Sequence, residues 1–487
     1  MRKKIALVAI NARYTHSCLA LYCLKSYVRD LGHDVYMREY SLRRDIEEIA
    51  KEIAAGKPDV VGLSVYIWNA AAMERLVPAL RQRLPGAMIV LGGPEAGYDP
   101  ERWLRGVPGV DCVVRGPGEQ GFAHLLAHGP GGGIVDMPNP PFAELPFPYD
   151  DDDFLNLEKR YVYYESSRGC PFRCTYCISS RGDQALEFRP LELVRKELAA
   201  ILSWNPMMVK FVDRTFNADR KHSREIWSFL LECHAKGPTR FHFEIHPALL
   251  DEEDFEILSR CPACLFNFEI GVQTINPETR SAIRRGGDWT PERQKIERLV
   301  RDGRVRIHLD LIAGLPEDDL AWVRHSFNEL YALRPRHLQL GFLKVLPGTE
   351  MAEAARGYCM AWDPSPPYLV HETAWLTADD LHRLDRVAHL VDRLHNTGRF
   401  PETLKALEDL YETAFDLYNS LGEFMKEHGS PPGRRGESGS AFLRDFITHL
   451  RNGESGLLLS ALDRDARAMS PPREKRSRHA AGRKGRA

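Results

Sequence analysis

Continuous runs of apolar, β-branched residues alternate with helix-forming stretches through the first 128 positions, and this alternation most restricts the fold. Strands are expected at Ile5 to Ile10, Asp34 to Arg38, Val60 to Val65, Met88 to Gly92 and Cys112 to Arg115, with helices around Leu19 to Leu31 and Arg44 to Ala55. A strand that is apolar at every position has no face to offer water, so it belongs in a parallel sheet covered by helices on both sides. Residues 1–128 therefore read as a doubly wound, Rossmann-like α/β domain.

The alternation then stops. Gly131-Gly132-Gly133, five prolines between Pro138 and Pro148, and the acidic run Asp150 to Asp153 suit neither a central strand nor a long helix, so residues 129–158 read as a linker. A second strand–helix series follows, with strands near Tyr161 to Ser166, Val209 to Val212, Phe241 to Ile245, Phe266 to Gly271, Arg306 to Ile312 and His337 to Leu346. Six such units over residues 159–367 predict a partial (β/α)6 barrel, with its chemistry at the C-terminal strand ends. Leu381, Leu384, Val387, Leu390, Val391 and Leu394 carry helical spacing, which makes residues 368–470 a mainly helical region. Residues 471–487 are basic, lack large apolar side chains, and read as a disordered tail.

The formal net charge of -2 leaves no global field to gather nucleic acid or an anionic membrane, and neither is an expected partner. The apolar run at the N-terminus meets Asn11 and Arg13 before a signal peptide or membrane span is complete, so a cytoplasmic location is expected. Ten cysteines, seven of them scattered, suit a reduced chain with one metal site better than a disulfide scaffold.

The clustered three are Cys170, Cys174 and Cys177, in one loop directly after a strand. Most iron–sulfur clusters have a cysteine on every iron. Three thiolates leave one iron open to chelate a small molecule through amino and carboxylate groups, which is a catalytic arrangement. A zinc knuckle is the competing reading, but the loop offers no fourth Cys or His. This CxxxCxxC pattern, with Tyr176 before its last cysteine, resembles the radical S-adenosylmethionine (SAM) superfamily. The resemblance implies a 4Fe-4S cluster on these cysteines and SAM bound by its methionyl end. It also implies cleavage to a 5'-deoxyadenosyl radical and an electron donor such as flavodoxin or ferredoxin.

Downstream residues fit the same resemblance. Tyr176 is implied to line the SAM site, and Asp213 to take the SAM ammonium where the family often has Gly-Gly-Glu. Glu244 and Glu269 are acids within strand patterns, costly to bury unless they line a site. Gln273 ends the fourth strand of the series, and Gly314 in Asp310 to Glu317 resembles the strand end that packs on adenine. Arg306, His308 and Lys344 are equally compatible with cavity and surface.

The N-terminal domain resembles the cobalamin-binding domains that precede many radical SAM domains, on Ser64, Gly92, Gly93, Gly116 and Glu119 at strand ends, where small residues admit a flat ligand. It lacks the DxHxxG motif of histidine-ligated cobalamin, so His16 reads as a loop histidine. Together the cofactors imply methyl transfer to an unactivated carbon or phosphorus of a small-molecule or peptide substrate. Alternatives are a cobalamin-linked cyclase or rearrangement enzyme, a methylthiotransferase drawing a second cluster from Cys18, Cys23 and Cys112, and a binding module without catalysis. Cys261 and Cys264 form a CxxC, read as packed free thiols.

Overall fold

The computed structural model describes residues 2–180, 185–234, 237–429, 436–450 and 455–469; the basic tail of residues 471–487 lies outside them. Residues 1–381 form one compact unit and residues 382–487 a second.

The first sheet has six parallel strands: β1 (Lys4–Asn11), β2 (Asp34–Ser41), β3 (Val60–Ser64), β4 (Met88–Gly92), β5 (Cys112–Arg115) and β6 (Ile134–Asp136), in spatial order β2-β1-β3-β4-β5-β6. Alternate residues enter two apolar layers. Ala6, Val8, Ile10, Val61 and Leu63 pack with Ile49, Ile53, Leu76 and Trp103 on one side. Ile5, Leu7, Ala9, Val60 and Val90 pack with Leu21, Phe122 and Leu125 on the other. Helices on both faces account for the unbroken apolar runs.

The stretch expected to be a linker departs from that reading in two places. Ile134–Asp136 pairs in parallel with β5 and closes the sheet as its edge, a three-residue strand too short to show a period. The acidic run is a capping box: Asp150 accepts from the Asp153 backbone N–H, and Asp153 reciprocates, to start the helix Asp151–Asn156. Lys25 lies 2.8 Å from Asp150 and 2.5 Å from Asp153, which fastens this segment to the first sheet's helix layer.

The second series begins with β7 (Val162–Tyr164), followed by a small antiparallel ribbon of β8 (Ser167–Arg168) and β9 (Glu187–Phe188). β10 (Met208–Phe211), β11 (Arg240–Glu244), β12 (Phe266–Gln273), β13 (Arg306–Ala313) and β14 (His337–Phe342) then pair in simple succession, in the order β14-β13-β12-β11-β10-β7. Both ends stay open, as in a partial barrel. One face is aromatic, with Phe241, Phe243, Phe266 and Phe268 packed with Trp227 and Phe211. The other carries Lys210, His242, Glu244, Glu269 and His308, all only partly buried. A short hairpin of β15 (Ala361–Trp362) and β16 (Val370–Glu372) follows, and β16 lies within the stretch expected to be helical.

Side chains from the two sheets interlock. Arg160 donates to both carboxylate oxygens of Glu39 at 3.0 Å. Tyr368 donates to Glu95 at 2.6 Å. Gly348, at φ +75°, has no room for a Cβ because the Tyr98 ring occupies that space. In the second unit, Leu384, Val387, Leu390, Val391 and Leu394 of the helix Ala378–Leu394 are fully buried, as their spacing requires. Thr413 caps the helix Ala414–His428, and Asp465 accepts from the N–H and hydroxyl of Thr403.

Candidate functional site

The cysteine loop is held by its backbone. Thr175 N–H donates to the Ile283 carbonyl at 3.1 Å, Met351 N–H donates to the Thr175 carbonyl at 3.0 Å, and Cys177 N–H donates to the Cys174 carbonyl at 3.0 Å. Gly169 has φ +93°, and a Cβ there would fall 2.9 Å from the Ala185 carbonyl oxygen, so only glycine admits the chain into the loop. All three are reduced, and none is in a disulfide. Cys170 Sγ is 3.4 Å from Thr215 Oγ1, and Cys174 Sγ is 3.9 Å from Arg285 Nη1. Burial pushes the Cys174 thiol up, while Arg285 opposes the shift. A guanidinium beside Cys174, in a loop that carries three reduced thiols, suits an anionic metal cluster, so this donor set fits an iron–sulfur cubane. Tyr176 packs among the same groups; burial raises its phenol above the usual range, and Arg285 opposes.

Asp213 does not occupy the place expected for it. Its carboxylate is fully buried and accepts from Ser166 N–H at 3.0 Å, Ser166 Oγ at 2.6 Å and Ser167 Oγ at 2.7 Å. Both oxygens are spent on holding the root of the cysteine loop, so it is a positioning residue and offers nothing to an incoming ammonium. Gly314 is likewise explained by packing: a Cβ at its φ of +91° would meet Val370 at 2.7 Å.

Gln273 does present an open group. It sits at φ +70°, beyond a register shift in β12, with its Oε1 buried and unpartnered. Its amide folds over Gly271, where a Cβ would fall 2.1 Å from Nε2. Such a strained, unsatisfied acceptor at a strand end is open to a ligand's donor.

Behind it, the inner face of the barrel is polar. Glu244, Glu269, His308 and His337 stand in one row across β11 to β14. Burial, then Glu269, drives the Glu244 carboxyl up to about 7. Glu269 Oε2 is 3.2 Å from His242 Nε2 and 3.5 Å from His308 Nδ1, and the two imidazoles hold its carboxyl well below the usual range against the effect of burial. His308 Nε2 lies 2.9 Å from Asp310 Oδ1. Burial would lower the His308 imidazole, but Asp310 and Glu269 raise it to about 9. His308 therefore faces the lumen.

At the C-terminal edge of the first sheet, a Cβ at Gly92 or Gly116 would meet nothing nearer than 3.9 Å, so packing does not require glycine at Gly92 and a flat ligand fits there. Gly93 serves differently: at φ +98° a Cβ would fall 2.6 Å from the Val65 carbonyl oxygen, so it lets the turn close. Ser64 is buried beside Cys18 Sγ at 3.5 Å. Glu119 is buried and accepts from Arg168 at 2.6 Å; it ties this edge to the cysteine loop instead of facing a ligand. His16 hydrogen-bonds Tyr163 Oη at 2.6 Å, in keeping with a loop histidine.

Arg285 and the stacked pair Tyr66 and Trp68, whose rings lie 4.3 Å apart, were not anticipated from the sequence. Trp68 is 48% exposed directly after β3, an apolar plate at the edge where small residues gather. An aromatic pair two residues apart after a strand was the available signal for that plate; Arg285 had none.

Family profiles match three stretches: the B12-binding domain over residues 5–126, the radical SAM superfamily over 164–330, and a protein family of unknown function (DUF4080) over 356–456. An uncharacterized methyltransferase of Pyrococcus horikoshii is 28% identical over 69% of this chain and 78% of its own length. The 2-(S-pantetheinyl)-carbapenam-3-carboxylate methyltransferase of Streptantibioticus cattleyicolor is 31% identical over 55% of this chain; the match spans only 44% of that protein. In fold, the chain is similar to the radical SAM methyltransferase TsrM of Kitasatospora setae, solved with cobalamin and a 4Fe-4S cluster bound. The TM-score is 0.65 at 15% identity, covering 96% of this chain and all of the other.

Proposed function

We propose, from the premise that this chain is a radical SAM protein carrying an N-terminal B12-binding domain, that it is a cobalamin-dependent methyltransferase acting on an unactivated carbon. The observation that carries the reading is the Arg168–Glu119 pair at 2.6 Å. Arg168 ends β8, four residues beyond the C-terminal end of β7, where the cysteine loop begins, and Glu119 sits in the first turn of the helix after β5. Ligands of parallel α/β sheets bind at C-terminal strand ends. A direct ion pair between the two edges supports a reading in which both cofactors bind close together, as a transfer between them requires.

When bound, the cluster with SAM supplies a hydrogen-abstracting radical, and cobalamin supplies the methyl group. Cys170, Cys174 and Cys177 hold the cluster, with Arg285 offsetting its charge. Asp213 fixes the loop root through Ser166 and Ser167, and Gln273 offers SAM a hydrogen-bond acceptor. Gly92, Gly116 and the Tyr66–Trp68 plate receive the corrin. The methylthiotransferase alternative fits poorly, because Cys18 and Cys112 are buried in the apolar layer of the first sheet while Cys23 lies within the helix Leu19–Tyr27.

The test is anaerobic reconstitution with iron, sulfide and hydroxocobalamin, followed by reduction with SAM. Retained cobalamin and 5'-deoxyadenosine formation that disappears in Cys174→Ala are expected, with iron content unchanged in Cys23→Ser. SAM cleavage by protein that retains no cobalamin would overturn the methyl-transfer reading and leave a radical enzyme.

A further inference from the structure

We infer that His308 and Asp310, oriented by Glu269, form a binding site for a divalent metal ion on the inner face of the barrel, separate from the cysteine loop. Glu269, His308 and Asp310 each bring a donor atom to within 4.8 Å of the others. They lie on adjacent strands, with Glu269 opposite His308 and Gly271 opposite Asp310 in the β12–β13 register. The β-strand period alone therefore points His308 and Asp310, two residues apart, to the same face.

A cluster of acids and a histidine is ordinarily a self-satisfied network, and two features set this one apart. His308 Nε2 and Asp310 Oδ1 are 2.9 Å apart and attract one another as charges, yet no hydrogen bond joins them, and each atom is buried without a hydrogen-bond partner. Asp310 is 8% exposed, so water does not readily supply the missing contact. Two cis ligands of an ion bound at the usual 2.1 Å lie about 3.0 Å apart in an octahedron. The observed spacing matches that edge.

The second feature is the opposite side of the imidazole. His308 Nδ1 lies 3.5 Å from Glu269 Oε2, which also stands 3.2 Å from His242 Nε2. A carboxylate behind a histidine fixes its tautomer and leaves Nε2 as the donor to the metal. One imidazole with oxygen donors suits Mn2+, Fe2+ or Zn2+. So few protein ligands leave positions open for oxygen atoms of a substrate entering the barrel, but the site itself does not depend on the methyl-transfer reading.

The probe is Mn2+, titrated into chelator-treated protein carrying oxidised cluster and hydroxocobalamin, both silent in electron paramagnetic resonance. Loss of the free Mn2+ signal with one ion bound per chain is expected, together with a 14N imidazole coupling in the pulsed spectrum of the wild type. Binding should weaken about tenfold in Glu269→Gln, as for other orienting partners. It should be lost in His308→Gln and Asp310→Asn, in which cluster absorbance and cobalamin content report that the protein remains folded. Absence of binding, binding without nitrogen coupling, or equal binding by the wild type and His308→Gln would overturn the site.

Discussion

The two parallel sheets have the same strand number and the same strand–helix grammar, yet they treat their faces in opposite ways. In the first, every residue from Ile5 to Ile10 is at most 1% exposed, because helices cover both sides. In the second, β12 alternates buried and half-buried residues, so Phe266, Phe268 and Ile270 pack outward while Asn267, Glu269 and Gln273 face the lumen. The first sheet can bind only at its strand ends. The second also carries chemistry along its strands, and it buries charge to do so.

If that contrast holds, trimming the first sheet destabilises the protein, and removing charge from the second stabilises it. Leu7→Ala, at a fully buried mid-strand position, should cost about 2–5 kcal/mol in denaturant unfolding. A loss under about 1 kcal/mol would mean that this face is loosely packed and the contrast is false.

Glu244→Gln should act in the opposite direction and depend on pH. The folded-state carboxyl titrates near 7, above its ordinary 4.5, so the wild type loses stability as pH rises between those values. The penalty is complete above pH 7 and absent below about 4. In metal-free protein the variant should therefore gain up to about 3 kcal/mol at pH 8 and nothing at pH 4. A gain equal at both pH values would assign the effect to packing. Removing a buried charge at a functional site commonly stabilises a protein at the expense of activity.

The smallest effects separate two glycines. Gly93→Ala drives a Cβ against the backbone of Val65 at positive φ and should cost about 1–3 kcal/mol with reduced cobalamin retention. At Gly271 the obstructing atom is the far end of the Gln273 side chain, which can swing away. Gly271→Ala should leave stability within about 0.5 kcal/mol and raise the KM for SAM. Equal loss of stability in both would show that Gln273 is locked in place by packing.

Much of this was legible along the chain. The apolar runs declared the first sheet, the six strand patterns declared the second, and three thiols in one loop declared the cluster. Other features were not. Asp213 carries the right chemistry at the right strand end, but Ser166 and Ser167, 47 and 46 residues earlier, consume its oxygens. Gly93 and Gly314 are required by Val65 and Val370, not by a ligand, and no spacing rule reports such neighbours. β6 escaped because three residues at an edge have no period, and the capping box of Asp150 and Asp153 looked like a charge run.

The sequence by itself determined which segments are strands, which faces must be covered, and which thiols act together, because these depend on periodicity and short spacing. Strand register and side-chain meetings between distant segments belong to the tertiary structure alone. Parallel strands joined by long crossovers bring together residues dozens of positions apart, and only the folded register aligns Glu244 with Glu269 and His308, or Arg285 with Cys174.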